Sequence, residues 1–271
     1  MRDTPALIES QRYLTRSVGL FRPLDWLTGG WRDFLRCPLP GLLHGAALAL
    51  FGALLFWLAR QQFWLLAGAF SGFLLVSPVL ATGLYAISRA LERHEQVDLS
   101  TALKTWRPRD ARLVLFGLLL ALAGTGWVLT SASLITSFSV EPVRNPADFL
   151  RVVVLAPQGY LFETWLFLGG VLAAPVFASS VVAIPLLLDR KISVLAAVLT
   201  SWRVVLGNPG PMSLWAGLIM ALTLLGMATA MLGLVLVVPW LGHASWRAYR
   251  DLVEPQTRRQ RQAESPARPL R

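Results

Sequence analysis

The stretch from Met212 to Trp246 reads MSLWAGLIMALTLLGMATAMLGLVLVVPWLGHASW, 35 residues with no Asp, Glu, Lys or Arg. A helix needs about 20 apolar residues to cross a hydrocarbon core of roughly 30 Å. The block is therefore too long for one span and tight for two. Four earlier blocks, Gly41 to Ala59, Phe63 to Ser88, Leu113 to Thr136 and Leu161 to Leu188, each fit a single helix. The number of crossings, and the side on which the chain ends, hang on residues 212–246.

Basic residues decide between the two counts, because Lys and Arg in short loops orient spans while acidic residues contribute little. With six spans, the inner segments carry six basic residues before Gly41, six from Arg89 to Arg112, three from Arg190 to Arg203 and seven from Arg247 onward. Only Arg60, Arg144 and Arg151 then lie outside. With five spans the split worsens to 15 against 10. The sequence predicts a tight hairpin turning near Gly226 to Gly233, with helices reaching about Asn208 at one end and Arg250 at the other.

Composition agrees. Only 15% of the 271 residues are charged and 55% are apolar, against roughly 25% charged in soluble domains. A net charge of +10 raises the question of nucleic acid. The arginines are confined between apolar blocks, where membrane orientation puts them, and this excludes nucleic acid as a partner. Cys37 is the only cysteine, so there is no intrachain disulfide, cysteine zinc site or iron–sulfur cluster. No secretory signal is apparent, since the first long apolar block starts at about Gly41.

Internal repetition supports six spans. Trp31-Arg32-Asp33-Phe34-Leu35-Arg36-Cys37-Pro38-Leu39-Pro40 matches Trp202-Arg203-Val204-Val205-Leu206-Gly207-Asn208-Pro209-Gly210-Pro211 at Trp, Arg, Leu and both prolines. A middle copy ends in Trp106-Arg107. Pro78, Tyr85 and Arg89 share the spacing of Pro239, Trp246 and Arg250, and Pro185 marks the same place in the middle. The expected architecture is all-α: a six-helix transmembrane bundle of three units, about 24–89, 98–190 and 192–250. A polar segment 1–23 precedes this membrane domain (24–253), and a basic disordered tail 254–271 follows it.

Each unit opens with an amphipathic interfacial helix. Leu24, Leu27, Trp31 and Phe34 recur at helical spacing, as do Leu99, Ala102, Leu103 and Trp106, and Ile192, Leu195, Leu199 and Trp202. Thr28, Arg32, Ser100, Lys104, Ser193 and Thr200 fall on the opposite faces, with Asp98 and Ser193 as N-caps. Indole and guanidinium groups suit the headgroup layer, so Trp31, Arg32, Trp106, Arg107, Trp202, Arg203, Trp246 and Arg247 are the expected interfacial anchors. Small residues at four-residue spacing, including Gly45 and Ala49, Gly68 and Gly72, and Gly226 and Ala230, imply closely packed helices. The outer loop from Ser137 to Tyr160 is the longest on its side, with a short surface helix expected from Asp148 to Leu155.

Residues able to do chemistry are few. Intramembrane ionisable groups are the usual functional candidates, but Glu163, Asp189 and Arg60 all sit within reach of an interface. Ser71, Ser77, Ser179 and Ser180 lie in spans, yet no Ser/His/Asp constellation or phosphate loop assembles from the sequence. No metal site is expected. His44 and His243 fall a turn or two inside the cytoplasmic surface on different spans, where two imidazoles can in principle ligate one haem iron.

Further motifs carry a resemblance. Leu186-Leu187-Leu188-Asp189-Arg190, Thr200-Ser201-Trp202-Arg203, Asn208-Pro209-Gly210-Pro211-Met212 and Gly242-His243-Ala244-Ser245-Trp246-Arg247-Ala248-Tyr249-Arg250-Asp251-Leu252 resemble the bacterial integral membrane family called domain of unknown function 2189. Gly30-Trp31-Arg32-Asp33, Gly83-Leu84-Tyr85 and Ser88-Arg89 agree, so the resemblance runs over about residues 20 to 253. It implies an inner-membrane protein without established activity or functional residues, some members being labelled putative cytochrome c oxidase subunits. Three histidines are too few for the two haems and copper of an oxidase core.

The expectation is a non-enzymatic, multi-pass protein of the bacterial inner membrane with both termini cytoplasmic, acting as a scaffold, assembly factor or passive carrier. Its partners are the lipid bilayer and a membrane protein. A haem-binding respiratory accessory subunit and a lipid or small-solute transporter are the alternatives.

Overall fold

A computed structural model describes residues 4–59, 81–95, 97, 111–156 and 159–255. Several expectations lie outside the described residues: most of the block from Phe63 to Ser88, the middle amphipathic helix with Trp106 and Arg107, Arg60, Gly68, Gly72, Pro78, and the tail beyond Pro255.

The elements are α1 (Pro5–Ser10), β1 (Tyr13–Thr15), α2 (Arg22–Arg36), α3 (Pro38–Ala59), α4 (Thr82–Glu92), α5 (Ala111–Phe138), α6 (Leu161–Ser180), α7 (Ala183–Asp189), α8 (Val194–Gly207), α9 (Pro209–Ala228), α10 (Leu234–Leu252) and β2 (Val253–Pro255). Among the described residues, four stretches are long and apolar enough to span a membrane: Pro38–Trp57, Ala111–Phe138, Leu161–Asp189 and Pro209–Ala228. α5 and α6 run antiparallel, since Trp165 hydrogen-bonds Ser131 and Gly169 faces Trp127. Their connection holds a short helix, Pro146–Asp148, passing into a π-helical turn, Phe149–Val154, where a surface helix is expected.

The last apolar block is two helices. α9 ends at Ala228, Ala230 and Met231 take positive φ (51° and 69°), and α10 begins at Leu234. Thr229 Oγ1 closes the turn by donating to the Gly226 carbonyl and accepting the Gly233 N–H. The start of α9 and the end of α10 come together around Arg16, whose N–H donates to Leu252 while its carbonyl accepts from Asn208. The two helices therefore form an antiparallel hairpin, turning where the sequence predicts.

Proline explains two further features. Pro185 has no N–H to continue the ladder to Val181, and α6 stops there. At this break the Val182 N–H donates to the buried Ser201 hydroxyl. Pro239 likewise leaves the Val235 carbonyl without its helical donor. Gly45 of α3 lies against that carbonyl so closely that a Cβ would stand 2.4 Å from it. Glycine is needed at this crossing, and α3 and α10 approach backbone to backbone.

α10 is the central helix, packed on α2, α3, α4 and α9. Gly30 of α2 faces Ala244 and Gly242 faces Leu84, both within contact distance of the neighbouring helix. The main core gathers Leu84, Ile87, Ile184, Leu186, Leu187, Met212 and Trp215 around it.

The buried faces of the two described amphipathic helices coincide in part with the apolar faces that periodicity marks, since Leu27, Phe34 and Ile192 are buried. In α2 the buried side is Trp26, Leu27, Gly30, Asp33 and Phe34, while Leu24 is 47% exposed. In α8 it is Ala196, Ala197, Thr200, Ser201 and Val204, while Leu195 is 56% exposed. Next to lipid an apolar side chain gains little by turning toward protein, and small residues pack backbones most closely. Hydroxyls find partners inside: Thr200 donates to the Ala196 carbonyl. Ser193 caps α8 as its position predicts.

The polar N-terminal segment is an ordered strap. Glu9 accepts from the Ser193 hydroxyl and N–H, Arg203 donates to the Ser10 and Tyr13 carbonyls, and Asn208 Oδ1 accepts the Val18 N–H. β1 pairs antiparallel with β2, Leu14 opposite Glu254. Glu254 and Pro255, placed in the tail by composition, belong to this ordered clasp.

Candidate binding cleft at the arginine-rich face

α2 and the C-terminal ends of α4 and α10 surround a polar cleft of about 510 Å³. Charged residues at the ends of these helices cross-link them. Arg247 of α10 holds Asp33 of α2 with two hydrogen bonds of 2.6 Å, although the Asp33 side chain is only 6% exposed. Arg250 Nε and the Trp246 indole N–H both donate to Glu92 of α4, at 2.9 and 3.1 Å. Arg22 and the Trp26 indole N–H donate to Asp251, at 2.7 and 2.8 Å. Paired charges of this kind fix the geometry of the three ends.

Near the end of α10, Asp251 feels two opposed effects. Burial raises its pKa, but the hydrogen bonds from Arg22 and Trp26 outweigh that and hold the carboxyl below its ordinary range. Arg22 is correspondingly raised by the same bond. In the strap, burial lifts the Tyr13 phenol, and Arg190 opposes the shift.

At the base of the cleft Ser88 Oγ lies 2.6 Å from His243 Nδ1, both residues buried. The sequence did not bring these two together, though each stands near the inner end of an apolar block. Asp33 is committed to Arg247, and among the described residues no carboxylate bonds the His243 ring to complete a triad. His243 Nε2 has no partner among the described residues. His44 is also buried, on α3, and neither histidine lines the cleft. The residues flanking His243, Gly242 and Ala244, are in contact with α4 and α2. Among the described residues no group of three or more His, Cys, Asp or Glu side chains could hold a metal.

The expected anchors sit in varied places. Trp31 packs at a tilt against Phe34 and edge-on against Trp240, with centroids 5.3 and 5.2 Å apart, while Arg32 is exposed and lines the cleft. Trp202 donates to Ser179 Oγ at 2.9 Å, and Arg203 holds the strap. Trp246 is 2% exposed. Asp189, with a side chain 3% exposed, takes the Tyr249 hydroxyl at 2.8 Å and pairs with Arg190 and Arg93. Beside it Arg112 donates to the Arg190 and Ile192 carbonyls. Glu163 lies in the first turn of α6.

No curated protein and no solved structure matches the chain. Residues 65–189, just under half of its length, match the family described as "Predicted integral membrane protein (DUF2189)", so over that stretch the resemblance holds, while the motifs beyond Asp189 lie outside the match.

Proposed function

We propose that the protein is a non-enzymatic scaffold or assembly factor of the bacterial inner membrane, with six spans and both termini cytoplasmic. The observation that carries this reading is the clasp between β1 and β2, which fastens the two ends of the chain on one face. Ends on the same side require an even number of crossings. Arg22, Arg203, Arg247 and Arg250 gather on that face, which the positive-inside rule assigns to the cytoplasm.

Three repeated units fit the same picture. At the ends of α2 and α8, Cys37 (φ −143°, ψ 69°) and Asn208 (φ −137°, ψ 52°) adopt nearly the same elbow, each donating its N–H three residues back. A proline then starts the next helix. α2 of the first unit sits on α10 of the third, and α8 of the third sits on α6 and α7 of the second. These are two contacts of the kind a cyclic order of units needs, and they favour one construction used three times.

Ion pairs tie α10 to both α2 and α4. Such a locked face suits a platform better than a carrier that must rearrange. The test is affinity capture of the tagged chain from its own membranes, with and without residues 4–18. A membrane protein captured in stoichiometric amount by the full chain, and lost without the strap, supports the scaffold. Protein-dependent solute uptake into vesicles, with no such partner, overturns it.

A haem-binding accessory subunit is a second reading, favoured by the buried Nε2 of His243, which has no partner among the described residues. It requires a Soret band in the purified protein that disappears in His243→Ala.

A further inference from the structure

Thr28 stands between two concavities of different character. On one side is the polar cleft; on the other is an apolar groove of about 420 Å³ lined by Leu24, Leu27, Trp31 and Trp240. We infer that the two together form a binding site for one anionic phospholipid, its phosphate on Arg32 and Arg36 and an acyl chain in the groove.

Charge bookkeeping singles out these two arginines. Asp251, Asp33 and Glu92 are each held at 2.6–2.9 Å by Arg22, Arg247 and Arg250, and Asp25 adds a contact to Arg22. Arg32 makes no hydrogen bond or ion pair among the described residues. Arg36 reaches only Asp33, at 3.7 Å, a carboxylate already occupied by Arg247. Arg32 and Arg36 are four residues apart on one helix, so two exposed like charges face each other across a turn. That arrangement is mildly unfavourable until an anion sits between them, and planar guanidinium groups bind phosphate oxygens in pairs.

The second half of the argument is the neighbouring surface. Leu20, Phe21, Leu24, Leu35 and Leu39, in and around α2, are 47–69% exposed. An apolar rim around a cationic notch belongs at the boundary between headgroups and acyl chains. A free phosphate would use the notch and leave the groove idle. A phospholipid uses both, and Trp240, whose indole N–H is held by the Leu27 carbonyl at 2.7 Å, gives the groove a fixed wall.

The inference does not depend on the scaffold reading, because lipid binding and partner capture are measured separately. The full chain, stripped of lipid in detergent, is titrated with phosphatidylglycerol, with phosphatidylcholine of the same chains, and with glycerol 3-phosphate, and bound species are counted by native mass spectrometry. One phosphatidylglycerol should bind on the order of tenfold tighter than phosphatidylcholine. Arg32→Gln with Arg36→Gln should abolish the preference, whereas Arg144→Gln with Arg151→Gln, removing the same charge from the outer loop, should keep it. Leu24→Glu should weaken the lipid by blocking the groove. Undiminished preference in the Arg32/Arg36 variant, or equal binding of phosphatidylcholine, overturns the site. Glycerol 3-phosphate bound as tightly as the lipid overturns the phospholipid and leaves a soluble phosphate as the ligand.

Discussion

Ser88 Oγ and His243 Nδ1 meet at 2.6 Å where α4 crosses α10, with both residues buried at the base of the cleft. A buried polar atom stripped of its only partner costs about 1–3 kcal/mol, whereas a hydrogen bond that survives costs nothing extra. Ser88→Ala should therefore lower the stability of the detergent-solubilised protein by that amount, and Ser88→Thr by less. Thermal unfolding checks this; equal melting of Ser88→Ala and the parent chain would mean that the pair does not form.

Asp33 and Arg247 make a sharper case. Removing the cation leaves a carboxylate buried in α2, and breaking a buried pair from one side costs about 3–5 kcal/mol. Arg247 is itself 41% exposed and Arg36 stands at 3.7 Å, so Arg247→Ala should fall at the lower end of that range. Asp33→Asn should cost less, because the remaining guanidinium can turn to water. The double variant should recover part of the loss. Additive losses across this cycle would rule out a coupled pair.

How much of this was legible in the sequence depends on which kind of signal each feature leaves. The elbows at Cys37 and Asn208 were readable because proline and a Trp-Arg pair mark them locally. The hairpin turn was readable from length and arginine count. The inward faces of α2 and α8 were legible only in part: Leu27 and Phe34 turn inward, but periodicity marks every recurring leucine, and Leu24 and Leu195 turn outward. Gly30 and Thr200 carry the packing instead. The strap was missed because residues 1–23 look merely polar, and the partners of Glu9 and Tyr13 are more than 180 residues away. The cleft's ion pairs are hidden for the same reason: Arg247 and Asp33 are recognisable as charges, but only the fold makes them neighbours.

The turn at Ala230 offers a test in which the sign matters. A non-glycine residue at positive φ costs roughly 1–2 kcal/mol, so Ala230→Gly should leave the protein as stable as before or raise its stability by about 1 kcal/mol. In an uninterrupted helix through residues 212–246 the same change would lower it by about 1 kcal/mol. Unfolding curves of the variant distinguish a hairpin from a single long span.

Asp251 predicts a dependence on pH. Its pKa is depressed in the folded chain, so the contribution is fully present above the ordinary carboxylate pKa and is lost as pH falls through the depressed value. Fastening of Arg22 and Trp26 to the end of α10 should weaken in that acid window only. Limited proteolysis of the N-terminal segment at falling pH should show cleavage accelerating, and Asp251→Asn should cleave quickly even at neutral pH. A variant as resistant as the parent at neutral pH would show that the contact contributes nothing.

The clasp is open to the most direct test of all. Leu14 and Glu254 are opposite partners in an antiparallel pair, where Cα atoms stand about 4.5–5.5 Å apart, within the span a disulfide bridges. With Cys37 replaced by alanine, Leu14→Cys and Glu254→Cys should oxidise to an intramolecular bond in intact membranes. Moving one cysteine to Leu155, in the connection between α5 and α6, should abolish it. Formation would show that the first and last ordered strands share one side of the bilayer, which forces an even number of crossings. If no bond forms while both thiols react with a small maleimide, the strands are apart, and the argument for six spans loses the contact on which it stands.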